Sequence, residues 1–304
     1  MKIYNNIKIH SKYFRSVLAI GNFDGIHLGH QKVIKEAKSK ALKKKIPFGI
    51  MTFEPVPVMF FNKNIQQHRI NSEQQKINQL KKFKLDFLII IKFNKKFSSY
   101  TAEEFIRKII FKKIKSRYLY VSKNFKFGFK RHGNIYTLKK YQTSCGYKII
   151  ITKPYKKDKK FISSTLIRKK IQQGKITEVN RLLKRDWSIE GNVIKGQKRG
   201  RKIGFPTCNI KLKNYVIPRL GVYAVKVKIN DLIKKGIANV GYRPTFKGKS
   251  LLLETNIFGI NKNLYNKVLT ISFKKFIRAE KKFKNLENLK KQIKIDIKKS
   301  KRYV

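Results

Sequence analysis

At Asp186 the hydrophobic period of this chain changes, and that change limits what it can fold into. Before it, short apolar runs alternate with stretches of helical spacing. "SVLAIGNF", "PFGIMTF", "LDFLIIIKF" and "SRYLYVS" read as strands, and "HQKVIKEAKSKAL", "SEQQKINQLKKF" and "TAEEFIRKII" as helices. Thr101, with Glu104 three residues later, is a capping-box start for the last of these. Strands alternating with helices imply an α/β unit, a mostly parallel sheet covered by helices. "STLIRKKIQQG" and "KITEVNRLLKR" close this half as helices. After Asp186 come six short strands, "WSIEGNVIKG", "FPTCNIKL", "GVYAVKVKI", "KGIANVGY", "LLLETNIFGI" and "KVLTISFKKF", with no helix until "NLENLKKQIKIDIKK". A small closed antiparallel barrel protects the edges of six consecutive strands best. Leu286, Leu289, Ile293 and Ile297 give the final helix one apolar stripe to pack on it. The expectation is two domains, residues 1–183 and 184–304, with the boundary near 182–188.

Composition narrows the function classes. With 75 Lys+Arg against 16 Asp+Glu, the formal net charge is +59, a field that attracts nucleotides, nucleic acid and anionic surfaces. The lysines follow no face, tail or boundary, so compositional drift explains them and no dedicated nucleic-acid partner is expected. Cys145 and Cys208 are far apart and in no ligand spacing, which excludes a disulfide framework or zinc ribbon and fits a reducing cytoplasm. "MKIYNNIKIH" lacks the apolar core of a signal peptide, and "FLIIIKF" is too short to span a bilayer. A soluble cytoplasmic protein without a membrane partner is expected.

Two stretches carry chemistry. In "AIGNFDGIHLGHQKVI", residues 19–34, a strand runs through a glycine turn into a helix, pointing backbone N–H groups at an anion beyond the strand end. His27 and His30, three apart, share one helix face and can reach one phosphate. The sequence lacks both a Walker loop and the HExxH of zinc proteases. "GNFDGIHLGH" resembles the GxFDGxHxGH signature of prokaryotic FAD synthetases, within the HxGH nucleotidyltransferases. The resemblance implies a Rossmann-like domain in which His27 and His30 stabilise charge on ATP phosphates as AMP is transferred and pyrophosphate leaves. It also implies that Gly21, Asn22, Phe23, Asp24, Gly25 and Gly29 form the nucleotide turn. "ISSTLIRKKI" resembles the ISSTxIR element of the same superfamily, so that Ser163, Ser164, Thr165 and Arg168 bind the triphosphate. "TFEPVPVMFF" and "NFKFGFKRHGN" resemble segments near the flavin, implicating Phe53, Pro57, Asn124 and Phe127. Here Val56 replaces a usual histidine, and Asn124 and Asn134 stand where acids are frequent.

The second stretch is "GNVIKGQKRGRKIGFPTCNI". Gly196, Gly200 and Gly204 permit close backbone approach to a ligand, and Arg201 can give a bidentate phosphate contact. It resembles the GxxxGRxxGFPTAN signature of riboflavin kinases. That implies a β-barrel kinase with a C-terminal helix, in which Thr207 and Asn209 coordinate Mg²⁺–ATP beside Pro206. "GVYAVKV", "GIANVGYRPTF", "LETNIFGINKNLY" and "FIRAEKKF" continue the resemblance in order. Glu254 occupies the position of the base acting on the ribityl 5′-hydroxyl, with Tyr242, Phe246, Arg278 and Glu280 on the flavin or phosphate side. The implied protein makes FMN from riboflavin and ATP, then FAD from FMN and ATP. Two other readings stay open: a riboflavin kinase with impaired adenylyl transfer, and a basic nucleic-acid-binding protein on the same scaffold.

Overall fold

The computed structural model describes residues 1–304 apart from 63, 66, 158, 159, 197, 198, 246, 247 and 261. Contacts divide the chain into two compact units, one of Met1–Ile65 with Glu73–Ser163, the other of residues 66–72 with Ser164–Val304.

The first unit is built on strands β1 (Lys2–Tyr4), β2 (Val17–Ile20), β3 (Phe48–Glu54), β4 (Phe87–Lys92), β5 (Tyr118–Ser122) and β6 (Lys148–Thr152). Their order is β1-β4-β3-β2-β5-β6, and every pairing is parallel. Central strands read as unbroken apolar runs because both faces are covered. Val17 and Ala19 pack with Val33, Ile34 and Ala37 of helix α1 (Leu28–Lys44), while Leu18 and Ile20 pack on the other side with Ile106, Ile109 and Ile110. The Thr101–Glu104 capping box forms, its two hydrogen bonds 2.9 and 3.1 Å long, and the helix it opens runs on as a π-helical segment, Phe105–Ile114. Strand order reverses between β2 and β5, and ligands of such sheets bind at the carboxyl ends beside that reversal. The turn after β2 is therefore at the binding position.

A hairpin, β7 (Lys156–Lys157) and β8 (Lys160–Phe161), precedes the second unit. There, β9 (Trp187–Ile194), β10 (Cys208–Lys211), β11 (Gly221–Ile229), β12 (Leu232–Thr245), β13 (Gly248–Ile257) and β14 (Val268–Arg278) close a barrel. All its pairings are antiparallel. Trp187, Tyr223 and Phe273 fill it, with ring centroids 4.8 and 5.0 Å apart. Helix α2 (Ile176–Leu183) is pinned to the barrel by Asn180, which donates to the Phe273 carbonyl at 2.8 Å and accepts from the Trp187 N–H at 2.8 Å.

The C-terminal helix α3 (Leu286–Lys301) departs from the expected apolar docking. Its fully buried residues are Asp296 and Ser300; the Ser300 hydroxyl donates to the Gly236 carbonyl at 2.9 Å, and Asp296 accepts from Arg278. Leu286 is half exposed, and Leu286, Leu289 and Ile293 line a cavity instead of a sealed core. Among the described residues no helix is long and apolar enough to cross a membrane.

Candidate functional site

In the first unit the turn joining β2 to α1 is strained and anchored. Phe23, Gly25 and Ile26 have φ of 47°, 83° and 41°. Left-handed backbone costs a non-glycine residue about 1–2 kcal/mol, which burial of the Phe23 and Ile26 side chains offsets. The Gly21 N–H donates to the Met51 carbonyl (3.1 Å), and the Thr52 hydroxyl to the Asn22 carbonyl (3.0 Å). His27 caps α1: its Nδ1 accepts the His30 N–H at 3.4 Å. The two imidazoles stack with centroids 3.8 Å apart, and His27 is only 4% exposed. A Cβ on Gly29 would lie 3.1 Å from the His27 ring and 3.1 Å from the Ile162 carbonyl. The glycine thus lets the residue preceding the S-S-T run close on the histidine turn.

One contributor under this turn has no signature in the sequence. Lys76, 4% exposed, brings Nζ within 3.4 Å of the Thr52 hydroxyl, the Phe53 carbonyl and Glu54 Oε2. A buried ammonium needs such partners, and here it braces the hydroxyl that holds Asn22.

The remaining expected residues of this half are distributed as follows. Ser163 ends the first unit; Ser164, Thr165 and Arg168 belong to the helix Ser164–Gln172 of the second, where Arg168 Nε donates to the His68 carbonyl at 2.8 Å. Phe53 and Phe127 are buried, Phe53 against Phe93 and Phe97, Phe127 against Phe105 and Phe125. Pro57 opens the short helix Pro57–Phe61, behind a buried Val56 that supplies no cap. Asn124 is exposed. Asn134 caps the helix Ile135–Lys140 by accepting from the Tyr136 and Thr137 N–H groups at 2.8 and 3.2 Å, a task asparagine performs as well as aspartate.

The second unit carries a cavity of about 1410 Å³ on the barrel's outer face. A pocket for one small ligand is roughly 300–1,000 Å³, so this one has room for two. Its walls include Gly196, Gly200, Thr207, Asn209, Glu254, Arg278 and Glu280. Arg201, Gly204, Pro206 and Tyr242 lie outside the lining, and Phe246 lies outside the described residues. Strand register aligns Asn209, Glu254 and Asn239 across β10, β13 and β12. A Cβ on Gly196 would lie 2.0 Å from Asn209 Nδ2, so only glycine leaves that amide in place. Likewise a Cβ on Gly200 would meet the Phe205 carbonyl at 2.4 Å. Asn256 donates to the Pro206 carbonyl at 2.7 Å and fixes the segment bearing Thr207.

The polar atoms of this cavity fall into two groups. Asn209 Oδ1 is buried with no hydrogen-bond partner among the described residues. Glu254, whose side chain is 26% exposed, accepts Arg243 Nε (2.9 Å) and NH2 (2.5 Å) on Oε2 alone. Arg243 NH1 is also 3.4 Å from Glu280 Oε1. Burial opposes the Arg243 charge, but its bonds to Glu254 and Glu280 outweigh that and raise the guanidinium above its usual range. Arg278 is held by Asp296 in the same lining, its Nε and NH2 2.9 and 2.8 Å from Oδ2. Burial pushes the Cys208 thiol up, so it stays protonated at neutral pH. Arg243 is a lining residue that reading the sequence missed: its pairing with Glu254 exists only once β12 and β13 are in register.

Among the described residues no cluster of three or more His, Cys, Asp or Glu could hold a metal ion. Thr207 and Asn209 instead offer neutral oxygens beside the cavity. That donor set suits Mg²⁺, which keeps waters and takes most of its remaining ligands from substrate phosphates.

Comparison with known proteins accounts for both halves. The FAD synthetase family matches residues 10–166, and the riboflavin kinase family residues 183–304. The chain is 40% identical to the bifunctional riboflavin kinase/FMN adenylyltransferase of Buchnera aphidicola subsp. Schizaphis graminum (strain Sg), over 99% of this chain and 97% of that one. Identity to the protein of the same description from Bacillus subtilis (strain 168) is 37%, over 95% and 92%. For Escherichia coli (strain K12) it is 33%, over 91% and 89%. A crystal structure described as a macrolide-efflux protein from Streptococcus pneumoniae matches with a TM-score of 0.87 at 30% identity, covering 99% of both chains.

Proposed function

The chain belongs to the bifunctional riboflavin kinase/FMN adenylyltransferase family, and on that premise we propose which residues carry its two reactions. It phosphorylates riboflavin to FMN at the expense of ATP, and adenylylates FMN to FAD with a second ATP. We assign adenylyl transfer to residues 1–183 and phosphoryl transfer to 184–304.

In adenylyl transfer a phosphate oxygen of FMN attacks Pα of ATP, and the bond from Pα to the pyrophosphate oxygen breaks. The residues need only position the two anions and stabilise the spreading charge. His27, His30 and Gly29, with the Gly21–Gly25 turn that shapes the approach to them, suit that task at a helix start already braced through Thr52. Ser163, Ser164, Thr165 and Arg168 are the proposed triphosphate ligands. Pro57 and Asn124 take the flavin side, shaped from within the core by Phe53 and Phe127.

In phosphoryl transfer the riboflavin 5′-hydroxyl oxygen bonds to Pγ as the bond from Pγ to the bridging oxygen breaks. ADP leaves with that electron pair, and the hydroxyl proton passes to Glu254. One observation carries this reading: Glu254 Oε1 accepts no hydrogen bond from the described residues, and Asn209 Oδ1, directly across the strand pair, is equally without a partner. Both line the same cavity, one suited to a proton and the other to a cation. When bound, Mg²⁺ held by Thr207 and Asn209 would neutralise charge on the ATP phosphates. Gly196, Gly200, Arg201, Gly204 and Pro206 form the proposed phosphate segment, with Tyr242, Phe246, Arg278 and Glu280 toward the flavin or phosphate. ATP as donor in both reactions, and the free thiols Cys145 and Cys208, support a cytoplasmic location.

The test is chromatography of products from purified protein with riboflavin, ATP and Mg²⁺. FMN appears first and FAD follows, and EDTA stops both. FMN alone would overturn the adenylyl assignment, and neither product would overturn the whole. A second outcome follows from the Asn209 contact: Gly196→Ala displaces the amide and lowers FMN formation by about tenfold or more. FAD formation from supplied FMN stays within twofold in the same assay.

A further inference from the structure

We propose that Arg243 is a positioning residue for phosphoryl transfer: bridged to Glu280, it ties down Oε2 of Glu254 and leaves Oε1 to take the riboflavin proton. The inference rests on Glu254 as the base, the reading given above.

The guanidinium has five N–H groups in a rigid fork. Nε and NH2 both go to Glu254 Oε2, while NH1 reaches the Tyr242 carbonyl at 3.2 Å and Glu280 Oε1 at 3.4 Å. The fork is thus fixed from both ends, by its own strand and by the segment beyond β14. Gly241 makes this possible, because a Cβ there would stand 2.1 Å from Glu280 Oε1. The glycine clears the space through which Glu280 reaches its partner.

Two physical needs explain the arrangement. A glutamate side chain has up to about 2 kcal/mol of rotamer freedom to lose, and a base must lose it before the reaction begins. Lys195, Lys211, Lys213 and Lys281 also line this cavity, so an untethered carboxylate has mobile ammonium groups to fall to. A planar fork gripping one oxygen prevents that capture while leaving the other oxygen open. Glu280 shares the guanidinium's charge, so the cation does not act on Glu254 alone.

Steady-state kinetics of FMN formation test this with Arg243→Gln, Arg243→Lys, Arg243→Ala, Glu280→Gln and Glu254→Gln, with Tm as the folding control and FAD formation from supplied FMN as the activity that stays unchanged. Arg243→Gln lowers kcat by about 10–100-fold, as expected for a misplaced base, with KM for riboflavin and ATP changed less than threefold. Arg243→Lys recovers part of the loss, and added guanidinium ion recovers part of it in Arg243→Ala. Glu280→Gln loses less, and combining it with Arg243→Gln adds nothing further. An unchanged kcat in Arg243→Gln would overturn the proposal, as would a loss confined to KM for ATP, which would make Arg243 a phosphate ligand. Absence of guanidinium rescue together with a lowered Tm would also overturn it, reducing the bridge to a structural brace. If Glu254→Gln itself keeps making FMN, the base assignment has failed, whatever Arg243 does. If Glu254→Gln is inactive while Arg243→Gln is not, only the positioning role has failed.

Discussion

His30→Ala stops FAD formation, by about 10²–10³-fold or more, while FMN formation from riboflavin stays within twofold. The magnitude is that of removing one preorganised group from a charge-stabilising site. His30 is preferred to His27 as the position to change. His27 caps α1 through Nδ1, so its loss also costs about 1 kcal/mol of helix stability. The His30 ring instead stacks on His27 and lies 5.3 Å from the Phe23 ring, close to the turn. Rates measured separately with riboflavin and with FMN as substrate check the outcome. Equal loss of both activities would contradict two independent sites.

The mirror result belongs to Glu254→Gln. The amide keeps the shape of the side chain and removes its ability to accept a proton, a change worth about 10²–10⁴-fold in general base catalysis. FMN formation falls by that factor, and FAD formation from supplied FMN continues. Among the described residues the carboxylate is tethered on Oε2 only, so the prediction concerns chemistry at Oε1 and not the loss of a buried structural ion pair. Substrate-specific rates check it, and full FMN production by this variant would remove Glu254 as base.

How legible all this was in the sequence depended on distance along the chain. The barrel was legible because strands with glycine and asparagine turns and no intervening helix have few other ways to cover their edges. "GVYAVKVKI" coincides with β11, Gly221–Ile229. In the first unit β1 and β6 carried no expectation: Lys2–Tyr4 is three residues long, and Lys148–Thr152 follows a loop without a clear period. Phe53, on β3, shows the limit of a buried parallel sheet. With both faces covered, alternation cannot tell which side its ring joins; it joins the aromatic core, as does Phe127 from the loop beyond β5. The apolar stripe of α3 was real, but its Leu286 end opens on the cavity, and the helix is fastened through Asp296 and Ser300.

The candidate sites divide in the same way. The placement of His27, His30, Gly196, Thr207 and Asn209 at turns and strand ends was legible, because each is encoded within a few neighbouring residues. Arg243 and Lys76 were not, because their partners come from elements brought alongside only by the fold. Asn134, a departure from the acid frequent at that position, keeps the cap and its geometry.

The central claim is that one chain holds two separable sites joined by free FMN. The most direct test is to mix His30→Ala with Glu254→Gln in riboflavin, ATP and Mg²⁺ and follow the products by chromatography. Neither variant alone makes FAD from riboflavin; together they do, because FMN released by the first is adenylylated by the second. A mixture that accumulates no FAD, while each variant retains its single activity, would contradict the account.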